Sequence, residues 1–232
     1  GEERFTPFWA HDRAAAKAAF PRVMDFLSEQ LARYPEAHIY HYAAYEESAL
    51  KRLAMLHGTR ENQVDDLLRR GKLVDLYKVV REGLRVSEPR YSIKNLEAFY
   101  MPDARSGAVT TAGDSIVVYE NWRRTGETKL LLEIETYNRL DCHSTRLCRD
   151  WLLSMRPAES EWFTPAPSKS ETADVRSEAE KRTAALMAKL VDGVSEVDRP
   201  WRELVGHLLE FHRREAKPAY WAMFNRQFMA EE

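Results

Sequence analysis

Two short β-like segments, separated by helical sequence, constrain the fold of this chain most strongly. AHIYHY, residues 37–42, and KLVDLY, residues 72–77, are rich in aromatic and β-branched residues, which is typical of strands. Between them, residues 45–57 and 60–70 have the spacing of amphipathic helices. Strands that alternate with helices favour a parallel α/β sheet. Because two strands are too few to form a sheet with its own core, we expect further strands upstream of Gly1.

The rest of the chain is predicted to be helical, apart from a proline- and serine-rich stretch at residues 157–172 that is typical of a linker. The predicted helices span residues 11–34, 92–100, 114–124, 127–155, 175–190 and 200–229. This pattern predicts three parts: an α/β domain over 1–156 that is incomplete at its N-terminus, a linker over 157–174 and a helical extension over 175–232.

Composition excludes several classes of protein. The chain has 35 basic and 37 acidic residues and a formal charge of −2, so any binding of nucleic acid must depend on a local patch. Its sequence shows no signal peptide and no apolar run near the roughly 20 residues of a membrane span, which predicts no membrane partner. The two cysteines, Cys142 and Cys148, are placed on different faces of one predicted helix, so we expect a reducing, cytoplasmic location.

Asp141 interrupts the apolar stripe of the long predicted helix. At about 100° per residue it shares one helical face with five other residues, namely Leu130, Ile134, Tyr137, Cys148 and Leu152. A carboxylate that faces a protein core is costly unless a cation or a metal ion pairs with it. The alternative is that Asp141 lies at the rim of the stripe and reaches solvent or a nearby arginine.

Two further carboxylates are associated with the predicted strands. Glu46 follows the first strand at the start of a helix, where a negative charge is also favourable without any function. Asp75 lies inside the second predicted strand, where its side chain is expected to face a neighbouring element. If that strand lies at the edge of the sheet, the carboxylate needs no such partner. Open α/β sheets place their sites beyond the carboxyl ends of strands, where Asp141 could join Glu46. Carboxylates that lie close together repel one another, and they commonly bind Mg²⁺ or Mn²⁺. Tyr137, one turn before Asp141, could orient a water for attack.

Four segments resemble motifs of one nuclease family. HYAAYE resembles the second exonuclease motif of the DEDD exonucleases, H-N-x-x-F/Y-D, and YNRLD resembles their third motif in its tyrosine form, Y-x-x-x-D. KLVDLY and YSIKNLEAFY are similar to the following strand and to the S-L-K-N-L helix of the same fold. The resemblance covers about residues 8–155 and is closest to the YprB-like, RNase H-fold branch found in RecB-like predicted nucleases. It implies an RNase H-like (DnaQ-like exonuclease) α/β domain, truncated at its N-terminus and followed by a helical extension.

The chain also departs from the family pattern. Glu46 stands where the pattern has Asp, and Tyr42 stands where it has Asn, so a polar contact to substrate is expected to be lost. The first motif, D-x-E, is absent from the sequence. In the family that motif supplies two metal ligands from the first of three strands, so this chain is expected to begin after those strands.

The resemblance implies a DEDDy-type 3′–5′ exonuclease that acts on a single-stranded DNA or RNA end, with a role in DNA repair. It implies that Glu46 and Asp141 are metal ligands, and that Tyr137 positions the attacking water. His41 and Tyr45 would shape the site. Asp75 and Lys94 would support it or contact the substrate. Two Mg²⁺ or Mn²⁺ ions are expected only if a D-x-E motif lies upstream.

The sequence leaves an alternative function open. The chain could be a catalytically inactive nucleic-acid-binding or spacer module of a multidomain nuclease or helicase. The C-terminal segment 210–226 is basic and aromatic and resembles the segment that joins nuclease to helicase in RecB-like proteins, so a helicase domain on the same polypeptide is expected. Its aromatic residues could stack on nucleic acid or simply pack helices together.

Overall fold

The computed structural model describes residues 3–101, 112–162 and 173–227. Over these residues the protein is mainly helical, with one two-stranded sheet. The elements are α1 (Arg13–Arg33), β1 (Ile39–His41), α2 (Tyr45–His57), α3 (Glu61–Arg69), β2 (Leu73–Asp75), α4 (Leu76–Gly83), α5 (Ile93–Tyr100), α6 (Ala112–Thr125), α7 (Thr128–Met155), α8 (Ala173–Val191), α9 (Arg199–Leu208) and α10 (Phe211–Gln227). None of the described helices is both long and apolar enough to cross a membrane.

The two predicted strands form a parallel pair, which confirms the α/β interpretation. Ile39 is paired with Leu73 and His41 with Asp75, and the amide of Ile39 donates to the carbonyl of Lys72 at 2.7 Å. A parallel connection needs a crossover of a dozen or more residues, and α2 and α3 occupy that interval in the sequence. The register brings His41 and Asp75 to the same carboxyl edge of the sheet.

The second strand is shorter than predicted, and a helix that the sequence did not predict follows it. KLVDLY was expected to be a strand through Tyr77, but β2 ends at Asp75 and α4 begins at Leu76. The carboxylate of Asp75 accepts a hydrogen bond from the amide of Tyr77 at 2.9 Å and so caps α4. Leu76 and Val80, four residues apart, are buried on one face of this helix. Asp75 is therefore a strand-end and capping residue, and its predicted mid-strand position was wrong.

The chain divides into two compact units, and the division is not linear along the sequence. Unit 1 contains residues 1–50 and 72–162, whereas unit 2 contains residues 51–71 and 163–232. The boundaries at 156 and 175 that the sequence suggests remain a prediction. Much of the predicted linker, residues 163–172, lies outside the described residues, as does the end of the last predicted helix.

Helix α7 is the central element of unit 1. It contacts α4, α5, α6 and β1. Most of the buried side chains of this unit come from α1, α4, α5 and α7, namely Phe20, Met24, Leu31, Leu76, Val80, Leu96, Glu97, Ser144 and Cys148. His41 of β1 and Lys72, just before β2, are buried as well. Helix α7 packs on β1, and Asp141 near the middle of this helix is close enough to Glu46 for its charge to raise the pKa of the Glu46 carboxyl. This packing brings Asp141 toward the segment that contains Glu46.

A buried polar cluster holds α3 against α10 in unit 2. Asp65 is 1% exposed, and its carboxylate accepts hydrogen bonds from the ammonium of Lys217 and the indole of Trp221. Beside it, the guanidinium of Arg214 lies 3.2 Å from the carboxylate of Glu61. Trp221 is buried, so this part of the basic, aromatic C-terminal segment serves helix packing, one of the two alternatives that the sequence left open.

Candidate active site

The loop between β1 and α2 has an unusual backbone that is held by its own side chains. Ala43 has a φ of +68°, a left-handed conformation that costs a residue with a Cβ about 1–3 kcal/mol and calls for support from its surroundings. His41 is buried, and its Nδ1 lies 2.7 Å from the carbonyl oxygen of Ala43, to which it donates. This turn directs the chain into α2, whose first turn contains Glu46.

Asp75 fixes the same loop from the neighbouring strand. Its Oδ1 accepts hydrogen bonds from the amide of Ala43 at 2.8 Å and from the amide of Tyr77 at 2.9 Å. One carboxylate oxygen therefore joins the strained loop to the start of α4. In the structure Asp75 positions the segment that leads to Glu46, and its Oδ1 is already engaged by the backbone.

Asp75→Ala is expected to lower the free energy of unfolding of unit 1 by about 2 kcal/mol. The substitution removes a helix cap and leaves the amide of Ala43 without its acceptor. Asp75→Asn is the matched control, because the amide side chain keeps an oxygen at the same position. Urea unfolding followed by circular dichroism measures both variants, and an equal loss in both would contradict the capping account.

Glu46 lies in a negatively charged environment. Its side chain is 52% exposed, and Oε2 lies 3.7 Å from Nδ1 of His41. Burial raises the pKa of the Glu46 carboxyl, and repulsion from the carboxylates of Asp75 and Asp141 raises it further, against the opposing effects of the helix backbone and His41. The structure thus brings Asp75 and Asp141 within electrostatic reach of Glu46.

The raised pKa of Glu46 predicts a pH-dependent effect of Glu46→Gln. A carboxyl with a higher pKa in the folded state binds more protons there, so its contribution to stability falls as pH rises through that pKa. With EDTA present, the variant should be more stable than the wild type above about pH 4.5, the ordinary value for this group, and equal to it at lower pH. The half-exposed position limits the gain to less than about 1 kcal/mol.

Urea unfolding at several pH values checks this expectation. Glu47→Gln controls for the loss of negative charge in the same first turn of α2. A difference between Glu46→Gln and the wild type that does not change with pH would contradict the electrostatic origin of the effect.

Cys142 provides a second indication of this negative region. Desolvation raises the pKa of its thiol, and the carboxylates of Asp141, Glu46 and Glu3 raise it further. Asp141 itself is half-buried on α7, one turn before the buried Ser144. Asp141, which interrupts the apolar stripe of α7, is therefore partly exposed and lies close to other acidic groups.

Tyr137 and Lys94 lie together at the contact between α7 and α5. The ammonium of Lys94 is 4.9 Å from the centre of the Tyr137 ring, and both side chains are half-buried. Tyr137 precedes Asp141 by one helical turn, so the two side chains share a face of α7. Tyr45, which was expected to shape the site, is 74% exposed.

Glu3 is a residue near this region that the sequence analysis missed. Its carboxylate accepts from Nδ1 of His143 at 3.0 Å and lies 3.5 Å from Nε of Arg146. The hydrogen bond to His143 lowers the pKa of Glu3, and the charges of both partners add to the effect. Glu3 lies outside any periodic segment and pairs with residues 140 and 143 positions away, so no local pattern could have indicated it.

The described residues provide only part of a metal site. Glu46 and Asp141 offer carboxylate oxygens, the ligands that Mg²⁺ and Mn²⁺ prefer, and their mutual repulsion is what a divalent cation would relieve. However, within 3–101, 112–162 and 173–227 no three His, Cys, Asp or Glu side chains are grouped so that they could hold a metal ion. The two carboxylates suit a cation but do not complete a site for it.

Comparison with known proteins identifies the family. A family model described as RNase H superfamily matches residues 1–153, about two thirds of the chain and nearly all of unit 1. No curated protein and no solved structure matches the chain significantly. The match includes both strands, helix α2 with Glu46 and α7 as far as Leu153. The chain therefore belongs to the RNase H superfamily.

Proposed function

We propose that unit 1 is a nuclease module that hydrolyses phosphodiester bonds at a single-stranded DNA or RNA end, as a DEDDy-type 3′–5′ exonuclease. The observation that carries this proposal is the position of Glu46 in the first turn of the helix after β1, close enough to Asp141 on α7 for the two carboxylates to repel each other. Membership of the RNase H superfamily supports hydrolysis of nucleic acid. The exonuclease type is supported by the spacing of Tyr137 and Asp141 and by the order of the motifs along the chain.

Each side chain has a role that follows from its surroundings. Glu46 and Asp141 would hold a divalent cation, which supplies charge stabilisation and an activated water when bound. Tyr137 holds the attacking water from one turn away, and Lys94 beside its ring balances the charge of the substrate phosphate. His41 orients Glu46 and the turn at Ala43.

The cation site requires acidic ligands beyond those described. In the family that the motifs resemble, a D-x-E strand supplies two of the four acidic ligands, and this sequence has no D-x-E. The proposal therefore includes a D-x-E strand encoded upstream in the parent gene, which would add to the two-stranded sheet. Two Mg²⁺ or Mn²⁺ ions belong to the proposal only on that condition. A helicase domain on the same polypeptide remains a prediction.

A second candidate function is favoured by one observation. Among the described residues, no three metal-binding side chains lie close enough together to hold a metal ion. A nucleic-acid-binding or spacer module without catalysis would have the same property. The parent gene discriminates between the two. A D-x-E strand upstream supports the nuclease, and an upstream strand with those acids replaced supports the inactive module.

Digestion of end-labelled oligonucleotides tests the exonuclease proposal. A longer form of the protein with the D-x-E strand is incubated with a single-stranded 20-mer, in DNA and in RNA form, with Mg²⁺ or Mn²⁺. A 5′ label should report a ladder of progressively shorter products, and a 3′ label should be released at once as a mononucleotide. Asp141→Asn in the same form should abolish both patterns. Internal cuts without terminal release would contradict the exonuclease type.

A further inference from the structure

An open pocket with aromatic walls lies beside the candidate active site in unit 1. Its cavity volume is about 460 Å³, and its lining includes Tyr42, Ala43, Tyr77, Arg90, Tyr91 and Ile93. These residues come from the loop after β1, the first turn of α4 and the segment that enters α5. Three tyrosines from three separate parts of the chain thus converge on one space.

Two of the three tyrosine hydroxyls are engaged by the protein, so these side chains offer the pocket mainly ring surface. The hydroxyl of Tyr42 donates to the carbonyl of Tyr91, and the hydroxyl of Tyr91 donates to the carbonyl of Leu84 at 3.3 Å. The rings of Tyr42 and Tyr77 meet edge to face, with centroids 5.7 Å apart and planes at 67°. This arrangement fixes the ring of Tyr42 and leaves ring surface on which a flat, apolar group can pack.

Positive charge accompanies this aromatic surface. Arg90 lines the pocket, is exposed, and makes no hydrogen bond or ion pair with any other described residue. A flat apolar surface beside the guanidinium of Arg90 suits a ligand that combines an aromatic ring with a negative group, which is the chemistry of a nucleotide.

The pocket shares its backbone with the carboxylate site. Tyr42 and Ala43 lie between His41 and Glu46 in the sequence, and the amide of Ala43 is bound by Asp75. Ile93, which lines the pocket, is followed in α5 by Lys94, whose ammonium lies 4.9 Å from the centre of the Tyr137 ring. A ligand in the pocket would therefore be next to the groups assigned to phosphodiester hydrolysis.

We propose that this pocket binds one unstacked base of the nucleic-acid strand, packed on the tyrosine rings, with Arg90 contacting a backbone phosphate. This inference rests on the proposed function, because it assigns a subsite for the same substrate. Tyr42, which replaces the asparagine of the family pattern, then provides ring surface where a polar contact was expected to be lost.

Binding of oligonucleotides to the full 232-residue chain in EDTA tests the proposal without any cleavage. The probe is a fluorescein-labelled thymidine 8-mer, and three further 8-mers each lack one base within the last three positions at the 3′ end. Tyr77→Leu removes a ring, and Tyr77→Phe is the matched control that keeps it. We expect Tyr77→Leu to bind the intact 8-mer at least about fivefold more weakly, and Tyr77→Phe to bind it as the wild type does.

The 8-mers that lack a base locate the contact. For one of them, wild type and Tyr77→Leu should bind equally, because the base that stacks is already missing. Circular dichroism establishes that both variants are folded. Arg90→Gln, a change at an exposed position, should lower the slope of log affinity against log salt concentration by about 0.7, the value for one phosphate of a single strand.

Four results would count against the pocket, the proposed function or both. Equal binding of the intact 8-mer by Tyr77→Leu and wild type, with an unchanged salt slope in Arg90→Gln, would overturn the pocket and leave the nuclease proposal standing. An equal loss in Tyr77→Leu for all four 8-mers would also overturn it. No binding by the wild type, of DNA or of the corresponding uridine 8-mer, would overturn both. Binding with the expected pattern, but no hydrolysis by the longer form, would leave only the pocket.

Discussion

Replacing Asp65 with alanine is expected to lower the free energy of unfolding of unit 2 by about 3–5 kcal/mol. Asp65 is 1% exposed and accepts from both Lys217, which is 8% exposed, and Trp221. The substitution would leave the buried ammonium of Lys217 without its counter-charge and the indole of Trp221 without its acceptor. Removing one partner of a buried ion pair costs much more than the pair contributes to stability, because the remaining charge is desolvated and unpaired.

Two variants sharpen this prediction. Asp66→Ala removes the neighbouring acid, whose ion pair with Arg70 is largely exposed, and should change stability by less than about 0.5 kcal/mol. The double variant Asp65→Leu, Lys217→Met should recover most of the loss, because no unpaired charge then remains. Chemical denaturation, with hydrogen exchange of the α10 amides to report on unit 2, measures all three. A loss in Asp65→Ala no larger than that in Asp66→Ala would contradict the buried-pair account.

The 232-residue chain by itself is expected to show little or no exonuclease activity, even with Mn²⁺. Of the four acidic ligands in the motif pattern that it resembles, it has only Glu46 and Asp141. Divalent cations are held by several charged oxygens, and each carboxylate that is missing leaves a position to water, which holds the ion less specifically. Asp75 does not replace the missing acids, because its Oδ1 accepts from two backbone amides.

Local signals made much of the helical framework predictable. Helix α2 begins and ends where its periodicity predicts, with Gly58 at a φ of +59° directly after it. Helix α5 begins within one residue of the predicted start at 92, because the hydroxyl of Ser92 accepts a hydrogen bond from the amide of Asn95 and caps the helix. The parallel pairing of β1 with β2 also followed from the alternation of strands and helices. In each case the deciding interaction lies within a few residues of sequence or follows from a general rule of connection.

Interactions at long sequence separation account for what was missed. Helix α4 is an exception, because the interaction that starts it is local. Its first residues suit a strand equally well, and the cap that Asp75 provides favours the helix. The partners of Asp65 lie more than 150 residues away, so nothing around VDDLL marks that aspartate as buried. The division into units was also not predictable from local sequence. Residues 51–71 group with the C-terminal helices, of which α10 contacts α3.

Motif spacing predicted which side chains would form the candidate site, and the structure bears on their positions. The carboxyl end of β1 and the apolar stripe of α7 predicted that Glu46 and Asp141 would meet, and the structure brings them within electrostatic reach. The sequence could not indicate the tie between Asp75 and Ala43, since that bond depends on the pairing of two strands. The catalytic and metal-binding roles of these residues remain proposals.

The most direct test of the central claim is digestion of a labelled single-stranded oligonucleotide by four proteins, with Mn²⁺ and with EDTA. The four are the 232-residue chain, a longer form that includes a D-x-E strand, and Asp141→Asn in each. We predict that only the longer form digests the strand, that EDTA stops it and that Asp141→Asn abolishes it. Robust, EDTA-sensitive digestion by the 232-residue chain, undiminished in Asp141→Asn, would show that the active site lies elsewhere.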